Sequence, residues 1–229
     1  IGPGKGVLTE ALLEKSGKVV AVEADLALVE VLQEKFKKEI KSGKLLLIHN
    51  DILNLNSEEI KPLGLVKNKF KIVANIPYYI TGELLRLFLS GDMQPERMVL
   101  LLQKEVVDRI VGANKKESIL SVSVKVYGEP KKIAKVSKRY FKPEPKVDSA
   151  ILAVTNISKN FFTDLEEHRF FEIVKAGFAH KRKRLKKNLE KVSGLPPAGG
   201  KEKINKAFDS GKLGENVRAE DISIQDWKK

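Results

Sequence analysis

The fold class of this chain follows from one segment, Lys18-Val19-Val20-Ala21-Val22-Glu23-Ala24-Asp25. Its β-branched residues predict a buried strand, and the strand closes on the carboxylate of Glu23. A helical pattern follows from Leu26 to Ile40, with apolar residues at the spacing of a buried helix face. Strands that alternate with helices are typical of a parallel sheet, so the segment predicts an α/β fold.

A glycine-rich turn precedes this strand by one helix, in the order Ile1-Gly2-Pro3-Gly4-Lys5-Gly6. Glycines let the backbone approach a ligand closely, and the start of the following helix offers unpaired N–H groups. The spacing differs from the Gly-x-Gly-x-x-Gly of dinucleotide-binding proteins, which argues against NAD and against a pyrophosphate ligand. Glu23 follows Gly6 by 17 residues, close to the spacing at which nucleotide-binding α/β proteins place a carboxylate on ribose hydroxyls.

Two further strands are predicted downstream, and both end in polar residues. The run Leu45 to Ile48 leads to Asp51, and the run Lys71 to Ala74 leads to Asn75. Ligands of open parallel sheets lie at the carboxyl ends of the strands, so these polar residues indicate one site at that edge. Asp51 can accept a hydrogen bond from an adenine amino group or cap the turn that follows, and capping is the commoner role for such a residue.

The tetrapeptide Asn75-Ile76-Pro77-Tyr78 is suited to holding an exocyclic amino group. Adenine N6 is a poor nucleophile because its lone pair is delocalised into the ring, so its N–H groups need well-placed acceptors. The Asn75 amide oxygen and the carbonyl of Ile76 or Pro77 can supply them, since Pro77 favours an extended backbone before it. Tyr78 adds a flat face for a base. The alternative is a polar turn that ends the strand at Pro77, with Tyr78 half-buried in the core.

The second half of the chain is patterned differently. A helical pattern begins near Phe171 and includes the basic run His180 to Lys187, and Gly194 to Gly200 is predicted to be a flexible turn. Three late strands are predicted before this region, at Ser118 to Tyr127, Lys132 to Val136 and Ala150 to Thr155.

These segments together resemble the ribosomal RNA adenine N6-dimethyltransferases of the KsgA type, over almost the whole chain. The resemblance implies a Rossmann-like S-adenosylmethionine-dependent methyltransferase domain over residues 1–156, with a mostly parallel doubly wound sheet. It implies a small all-helical RNA-recognition domain over residues 157–229. It also leads us to expect that the family's segment before the glycine-rich turn is missing here. The other matching segments are Leu102 to Val107 with Arg109, Phe141 to Ala150, and Arg218 to Ser223.

The resemblance also implies roles for single residues. Tyr78 would stack on one face of a target adenine, Phe141 would approach the other, and the adenine would have to leave its RNA stack to enter. Because a sulfonium is a strong methyl donor, transfer depends mainly on positioning and requires no metal. The expected catalytic residues are Asn75, Ile76, Pro77, Tyr78 and Phe141, and the expected cofactor-binding residues are Gly2, Gly4, Gly6, Glu23, Asp51 and Asn75.

The chain is strongly basic, with a formal net charge of +13 and a pI of about 9.6, which favours a nucleic-acid partner. One group of cations surrounds Tyr140 and Phe141, and a second lies in the basic run. Solvated lysines on a strand edge or a helix face are the alternative explanation. The expected RNA-binding residues are Lys138, Arg139, Lys142, Lys181, Arg182, Lys183 and Arg184.

Composition excludes several other classes. The absence of cysteine excludes disulfides, thiolate zinc sites and cysteine nucleophiles, and the three histidines show no metal-binding spacing. No apolar run is long enough to cross a bilayer. We therefore expect a cytoplasmic monomer without a metal.

The predicted function is dimethylation of N6 on two adjacent adenines of small-subunit ribosomal RNA, within an immature small subunit. Two alternatives remain at this point. One is the antibiotic-resistance branch that methylates large-subunit RNA, and the other is an RNA-binding or ribosome-assembly factor on the same fold.

Overall fold

The computed structural model describes residues 1–55, 57–190 and 200–229, with the backbone alone at Ser57 and Lys61. Residues 194–199 of the predicted flexible turn lie outside this range. The chain divides into two compact units. Unit 1 comprises Ile1–Lys104 and Lys131–Ile157, and unit 2 comprises Glu105–Pro130 and Ser158–Lys229.

Strands and helices alternate along the first half of the chain. The strands are β1 (Val19–Glu23), β2 (Leu45–His49), β3 (Lys71–Asn75), β4 (Arg97–Gln103), β5 (Glu129–Val136) and β6 (Ser149–Thr155). The helices are α1 (Val7–Lys15), α2 (Leu26–Lys35), α3 (Lys37–Lys41), α4 (Ser57–Ile60), α5 (Thr81–Leu89), α6 (Lys104–Val111), α7 (Ile119–Lys125), α8 (Glu167–Gly177), α9 (Leu185–Leu189), α10 (Gly200–Gly211) and α11 (Ile224–Lys228). None of the helices in the described ranges is both long and apolar enough to cross a membrane.

The described strands form two sheets. In the first, β1 pairs in parallel with β2, so that Glu23 lies opposite His49. The second has the order β3-β4-β6-β5, in which β3 and β4 are parallel and β4 and β6 are antiparallel. The predicted α/β class is therefore confirmed, and an antiparallel strand joins the parallel ones, as is common in larger sheets.

The crossover from β3 to β4 forms the centre of unit 1. Helix α5 buries one face, and β4 alternates between buried and partly buried residues, because it is covered on one side. The residues buried along these two elements are Leu84, Leu85, Phe88, Leu89, Met98, Leu100 and Leu102. This packing holds the end of β3 in place.

The helix predicted from Leu26 to Ile40 is interrupted at Phe36. Helix α2 ends at Lys35, and Phe36 has a non-helical backbone before α3 begins. Its ring is buried in the cluster that also contains Leu13, Leu32 and Leu45. The break lets the Phe36 ring pack against the first turn of α1.

The segment Ser118 to Tyr127, predicted as a strand, is largely helical. Ser118 and Ser121 form a capping box: each side-chain oxygen accepts a hydrogen bond from the other residue's main-chain N–H, at 3.1 and 2.6 Å. Val122 and Val124 are fully buried. The alternation of serine and valine resembles a strand, but the cap and burial favour helix α7.

The predicted helix through the basic run is also wrong. Helix α8 ends at Gly177 and α9 begins at Leu185, so Lys181 to Arg184 lie in the intervening loop, whereas Lys186 and Lys187 belong to α9. The buried Asn188 holds this loop, because its side-chain Nδ2 donates to the carbonyls of Gly177 (2.6 Å) and His180 (3.2 Å). A loop exposes the cations on more sides than a helix would.

Unit 2 joins two separate parts of the sequence. Five aromatic rings from both parts pack with centroid distances of 5.2 to 6.2 Å: Tyr127, Phe161, Phe162, Phe170 and Phe171. Asp221 accepts a hydrogen bond from Lys116, which lowers the pKa of that carboxyl group. These contacts explain why residues 105–130 belong to unit 2.

Gly6 provides a test of the packing around α1. Its φ is +80°, and a Cβ there would lie 2.5 Å from Phe36 Cε2 and 2.9 Å from Leu32 Cδ2. We expect Gly6→Ala to lower the free energy of unfolding by about 2 kcal/mol or more, from overpacking and the left-handed backbone. Urea denaturation followed by circular dichroism measures it.

Gly17→Ala is the matched control, because a Cβ at Gly17 would meet nothing within 4 Å. We expect its free energy of unfolding to change by no more than about 0.5 kcal/mol. Equal urea midpoints for the two variants would contradict this account of Gly6.

Candidate functional site

The carboxylate of Glu23 organises the end of β1. Its Oε2 accepts a hydrogen bond from the Gly4 amide at 3.0 Å, and its Oε1 accepts from the amides of Ala24 (3.0 Å) and Asp25 (3.2 Å). Glu23 is 8% exposed, so these hydrogen bonds compensate for much of its lost hydration. A carboxylate has about four acceptor positions, which leaves room for a ligand hydroxyl.

The glycine-rich turn has an open face. Gly2 and Gly4 both have left-handed backbones, with φ of +59° and +57°. A Cβ at Gly4 would meet nothing within 4 Å, and one at Gly2 would meet only the Asn75 carbonyl oxygen, at 3.9 Å. Side chains at these two positions would occupy the space beside Glu23 and Asn75. The turn therefore leaves open space beside the ends of β1 and β3, and cofactor binding there remains a prediction.

Gly6 is placed differently from the other two glycines of the turn. It is buried, and the space a side chain would need is filled by Phe36 and Leu32. Its lack of a side chain is explained by packing. Its contact with the cofactor remains a prediction.

The end of β2 lies beside Glu23. The Asn50 amide donates to the Glu23 carbonyl at 3.0 Å, which places Asp51 next to the same edge. Asp51 Oδ1 accepts from the Leu53 amide at 2.9 Å and so caps the single-turn 3₁₀ helix Ile52–Asn54. The capping role is therefore present. Contact with adenine, through the second carboxylate oxygen, remains a prediction.

Asn75 ends β3 as an exposed residue between buried neighbours. Ala74 and Ile76 are both nearly inaccessible, so they anchor the backbone on each side of it. The Pro77 carbonyl accepts from the Ile80 amide at 3.3 Å in the following turn. One of the two acceptor positions of the Pro77 carbonyl is therefore occupied, so we take the Ile76 carbonyl as the candidate acceptor.

Tyr78 is half-buried, and its hydroxyl lies 3.1 Å from Ser149 Oγ. Ser149 is fully buried at the first position of β6. Sequence reasoning did not single out Ser149. A serine at the start of a strand carries no signal of a partner 71 residues away.

The Phe141 loop is fastened by ion pairs and main-chain hydrogen bonds. Phe141 is half-buried, and its amide donates to the Lys138 carbonyl at 3.1 Å. Asp148 accepts from the Lys138 amide at 3.1 Å and pairs with Lys135 at 2.7 Å. The hydrogen bond from Lys135, followed by that from the Lys138 amide, lowers the pKa of Asp148.

The predicted RNA-binding cations of unit 1 are not equivalent. Lys138 forms an ion pair with Glu144 at 2.9 Å, and this contact raises the pKa of Lys138. The negative charge of Glu144 therefore offsets part of the attraction that Lys138 could exert on a phosphate. Arg139 and Lys142 are exposed in the same loop. They are better suited to contact phosphate.

The predicted cations of unit 2 are all exposed: Lys181, Arg182, Lys183 and Arg184. The Lys183 amide donates to the His180 carbonyl at 2.9 Å, which closes a turn. The Leu185 amide, just after the run, donates to the Val217 carbonyl at 2.9 Å. The charges therefore lie on a loop that is held at both ends.

A cavity of about 530 Å³ lies in unit 1, between β1 and β3. Its lining is mainly apolar and includes Val20, Ile72 and Phe88. The lining also includes Pro3 of the glycine-rich turn, but neither Glu23 nor Asn75. Across the described residues, no group of three or more His, Asp or Glu side chains could hold a metal ion.

Comparisons with known proteins agree along the whole sequence. Residues 1–229 match the family model described as ribosomal RNA adenine dimethylase. The Ribosomal RNA small subunit methyltransferase A of Dehalococcoides mccartyi is 38% identical over 229 residues, which are 100% of this chain and 75% of that protein. The protein of the same name from Lactiplantibacillus plantarum is 34% identical, over 99% of this chain and 76% of its own length.

Solved structures agree in fold. A dimethyladenosine transferase from Plasmodium falciparum superposes with a TM-score of 0.78 at 22% identity, over 99% of this chain and 85% of that one. The 23S rRNA methyltransferase ErmE superposes with a TM-score of 0.74 at 24% identity, with the same coverage. The chain therefore has a Rossmann-like methyltransferase fold.

Glu23 gives a test of the cofactor site. Glu23→Gln replaces one acceptor oxygen with an NH₂ group that faces main-chain N–H donors. We expect S-adenosylhomocysteine to bind at least about tenfold more weakly, which corresponds to about 1.4 kcal/mol. Isothermal titration calorimetry measures the change in Kd.

Glu14→Gln, at an exposed position on α1, is the matched control and should bind like the unmodified protein. Equal Kd values for all three would remove Glu23 from the site.

Proposed function

The chain belongs to the ribosomal RNA adenine dimethylase family, and we propose that its substrate is the RNA of an immature small ribosomal subunit. It is an S-adenosylmethionine-dependent rRNA adenine N6-dimethyltransferase. The small-subunit assignment rests on similarity to proteins named small subunit methyltransferase A, which are 34 to 38% identical over nearly all of this chain and about three quarters of their own length. We propose two adjacent adenines as the targets.

S-adenosylmethionine supplies an activated methyl group on a positively charged sulfur. The protein has to hold the amino group of the target in line with that methyl group. In our proposal the open glycines Gly2 and Gly4 admit the cofactor, Glu23 accepts from its ribose hydroxyls, and Asp51 contacts its adenine. The hydrogen bond from Gly4 to Glu23 couples these two parts of the site.

We assign Asn75 as the acceptor for the target amino group. Its side chain is exposed at the end of β3, and its main chain lies beside Gly2, where the cofactor's methionine part would pass. A second methylation starts from an amine with a single N–H. The side-chain amide of Asn75 and the carbonyl of Ile76 therefore cannot both be required as acceptors in the second step. Positioning of the base by neighbouring aromatic rings then becomes more important.

Tyr78 and Phe141 are proposed as those walls. Both are half-buried, so each ring can be fixed on one side and contact a base on the other. Removing an adenine from its RNA stack costs a few kcal/mol, and contact with two aromatic faces offsets part of that cost.

The exposed cations are proposed to contact phosphates. Arg139 and Lys142 would act close to the target, with a smaller contribution from Lys138 because of Glu144. We propose that the basic loop of unit 2 also contacts phosphates of the RNA. We propose residues 157–229 as the RNA-recognition domain and a monomer as the active form, working on ribosome maturation in the cytoplasm.

One experiment separates this proposal from its two rivals. The chain is incubated with labelled S-adenosylmethionine and either immature small subunits or large-subunit RNA, and the label is mapped to nucleotides. N6-dimethyladenosine at adjacent adenines of small-subunit RNA is the expected result. Label on large-subunit RNA alone would select the resistance branch, and tight subunit binding without label would select an assembly factor.

Asn75→Ala tests the proposed acceptor. We expect the methylation rate to fall by about a hundredfold, the typical loss when one preorganised polar group is removed, with RNA affinity unchanged. Single-turnover methylation and filter binding measure the two quantities. Asn114→Ala, at an exposed loop position, is the control. Full activity of Asn75→Ala would show that the acceptor lies elsewhere.

The double substitution Arg182→Glu/Arg184→Glu tests the basic loop. If both side chains contact phosphates, affinity for subunit RNA should fall and the slope of log K against log salt should flatten by about 1 to 2. Lys203→Glu/Lys206→Glu makes the same charge change at exposed positions of α10. Equal losses in the two variants would mean that only net charge matters.

A further inference from the structure

Ser149 determines where the Tyr78 hydroxyl lies. It is fully buried, and its Oγ is 3.1 Å from that hydroxyl. It occupies the first position of β6, opposite Gln103 of β4. The main chain of Ser149 is paired with β4 and its side chain is fully buried, so its hydroxyl has little room to move. The Tyr78 ring is only half-buried and can rotate about its side-chain bonds.

Asp148, the residue before it, determines where the Phe141 turn lies. Its main-chain carbonyl accepts from the Lys104 amide at 2.9 Å, which ties it to the end of β4. Its side chain accepts from the Lys138 amide at 3.1 Å. The Lys138 carbonyl in turn accepts from the Phe141 amide at 3.1 Å, so a chain of two hydrogen bonds links Asp148 to Phe141.

Two consecutive residues thus each restrain one aromatic residue of the proposed adenine site. The side chain of Ser149 holds the ring of Tyr78, and the side chain of Asp148 holds the turn that carries Phe141. Asp148 and Ser149 are adjacent at the start of β6, an inner strand of the sheet, so one short piece of backbone controls the separation of the two rings.

We propose that Asp148 and Ser149 are positioning residues that set the spacing of the slot for the target adenine. This inference rests on the proposed function, because it takes Tyr78 and Phe141 as the walls of that slot. Neither Asp148 nor Ser149 contacts the reacting atoms. Their effect is transmitted through the two aromatic residues.

The second methylation depends most on this spacing. The unmodified amino group can be oriented by two N–H donors, but the monomethylated one has a single N–H left. Orientation of the second substrate therefore relies more on the aromatic walls. A loosened slot should slow the second transfer more than the first, so monomethylated adenine should accumulate.

A purely structural role predicts a different result. If the hydroxyl pair only satisfies buried polar groups, its loss would lower the stability of the fold and leave the ratio of products unchanged. The product ratio therefore separates positioning from stability.

The first experiment is a double-mutant cycle on immature small subunits, with Ser149→Ala, Tyr78→Phe and the two combined. We expect each single variant to raise the ratio of monomethylated to dimethylated adenine about tenfold. The combined variant should be no worse than either, because all three lack the same hydrogen bond. Ser42→Ala, which removes an exposed hydroxyl at the end of α3, should behave like the unmodified protein.

Additive effects in the cycle, or an unchanged product ratio in Ser149→Ala, would overturn the proposal. Tyr78→Phe removes the same bond from the half-buried side, so the test holds even if Ser149→Ala folds poorly. Asp148→Ala tests the other arm: loss of the oxygen that accepts from the Lys138 amide should raise KM for the subunit several-fold, with kcat for the first transfer changed less. An unchanged KM would show that Asp148 does not position Phe141.

A second readout does not need activity. A short single-stranded RNA carries 2-aminopurine at the target position, and stacking between aromatic rings quenches its fluorescence. We expect quenching by the unmodified protein and by Ser42→Ala, and weaker quenching by Ser149→Ala and Asp148→Ala. Quenching by the unmodified protein without methylation of any subunit would reject the proposed function and keep the slot. Equal quenching by all variants would reject the positioning role.

Discussion

The hydrogen bond from the Gly4 amide to the Glu23 carboxylate is the constraint on which the proposed cofactor side of the site depends. It joins the glycine-rich turn to the end of β1. The main-chain amides of Ala24 and Asp25 donate to the other oxygen of the same carboxylate. A nearly buried carboxylate is costly unless it is paired with donors. Here the donors are main-chain groups whose places depend on the turn and the strand, so the site and the fold stabilise each other.

The substrate side is built on a different constraint. β6 runs antiparallel to β4, and this pairing brings Ser149 to the end of β4, within reach of Tyr78. The ion pairs of Asp148 and Lys138 are solvent-accessible, so each contributes modestly to stability. These ion pairs restrict the Phe141 turn, and in the proposed adenine site this lowers the entropy that would be lost when a base binds.

Several predictions failed or changed for identifiable physical reasons. Valine and serine alternate in α7 as they do in strands, but the reciprocal cap of Ser118 and Ser121 starts a helix there. The basic run continues a helical pattern, yet Asn188 stabilises a loop by bonding to the carbonyls exposed at the end of α8. In both cases polar side chains satisfy main-chain groups, and hydrophobic periodicity does not predict such contacts.

The amino-acid sequence by itself determined the α/β class, the glycine turn, the acidic end of β1 and the Asn75 to Tyr78 segment, because each of these is encoded by neighbouring residues. It also determined the family, through motifs spread over the whole chain. Only the tertiary structure decided that Gly6 serves packing against Phe36, that residues 105–130 belong with the C-terminal helices, and that Ser149 anchors Tyr78. These features depend on residues distant in the chain, and their contacts exist only after the strands have paired and the helices have packed.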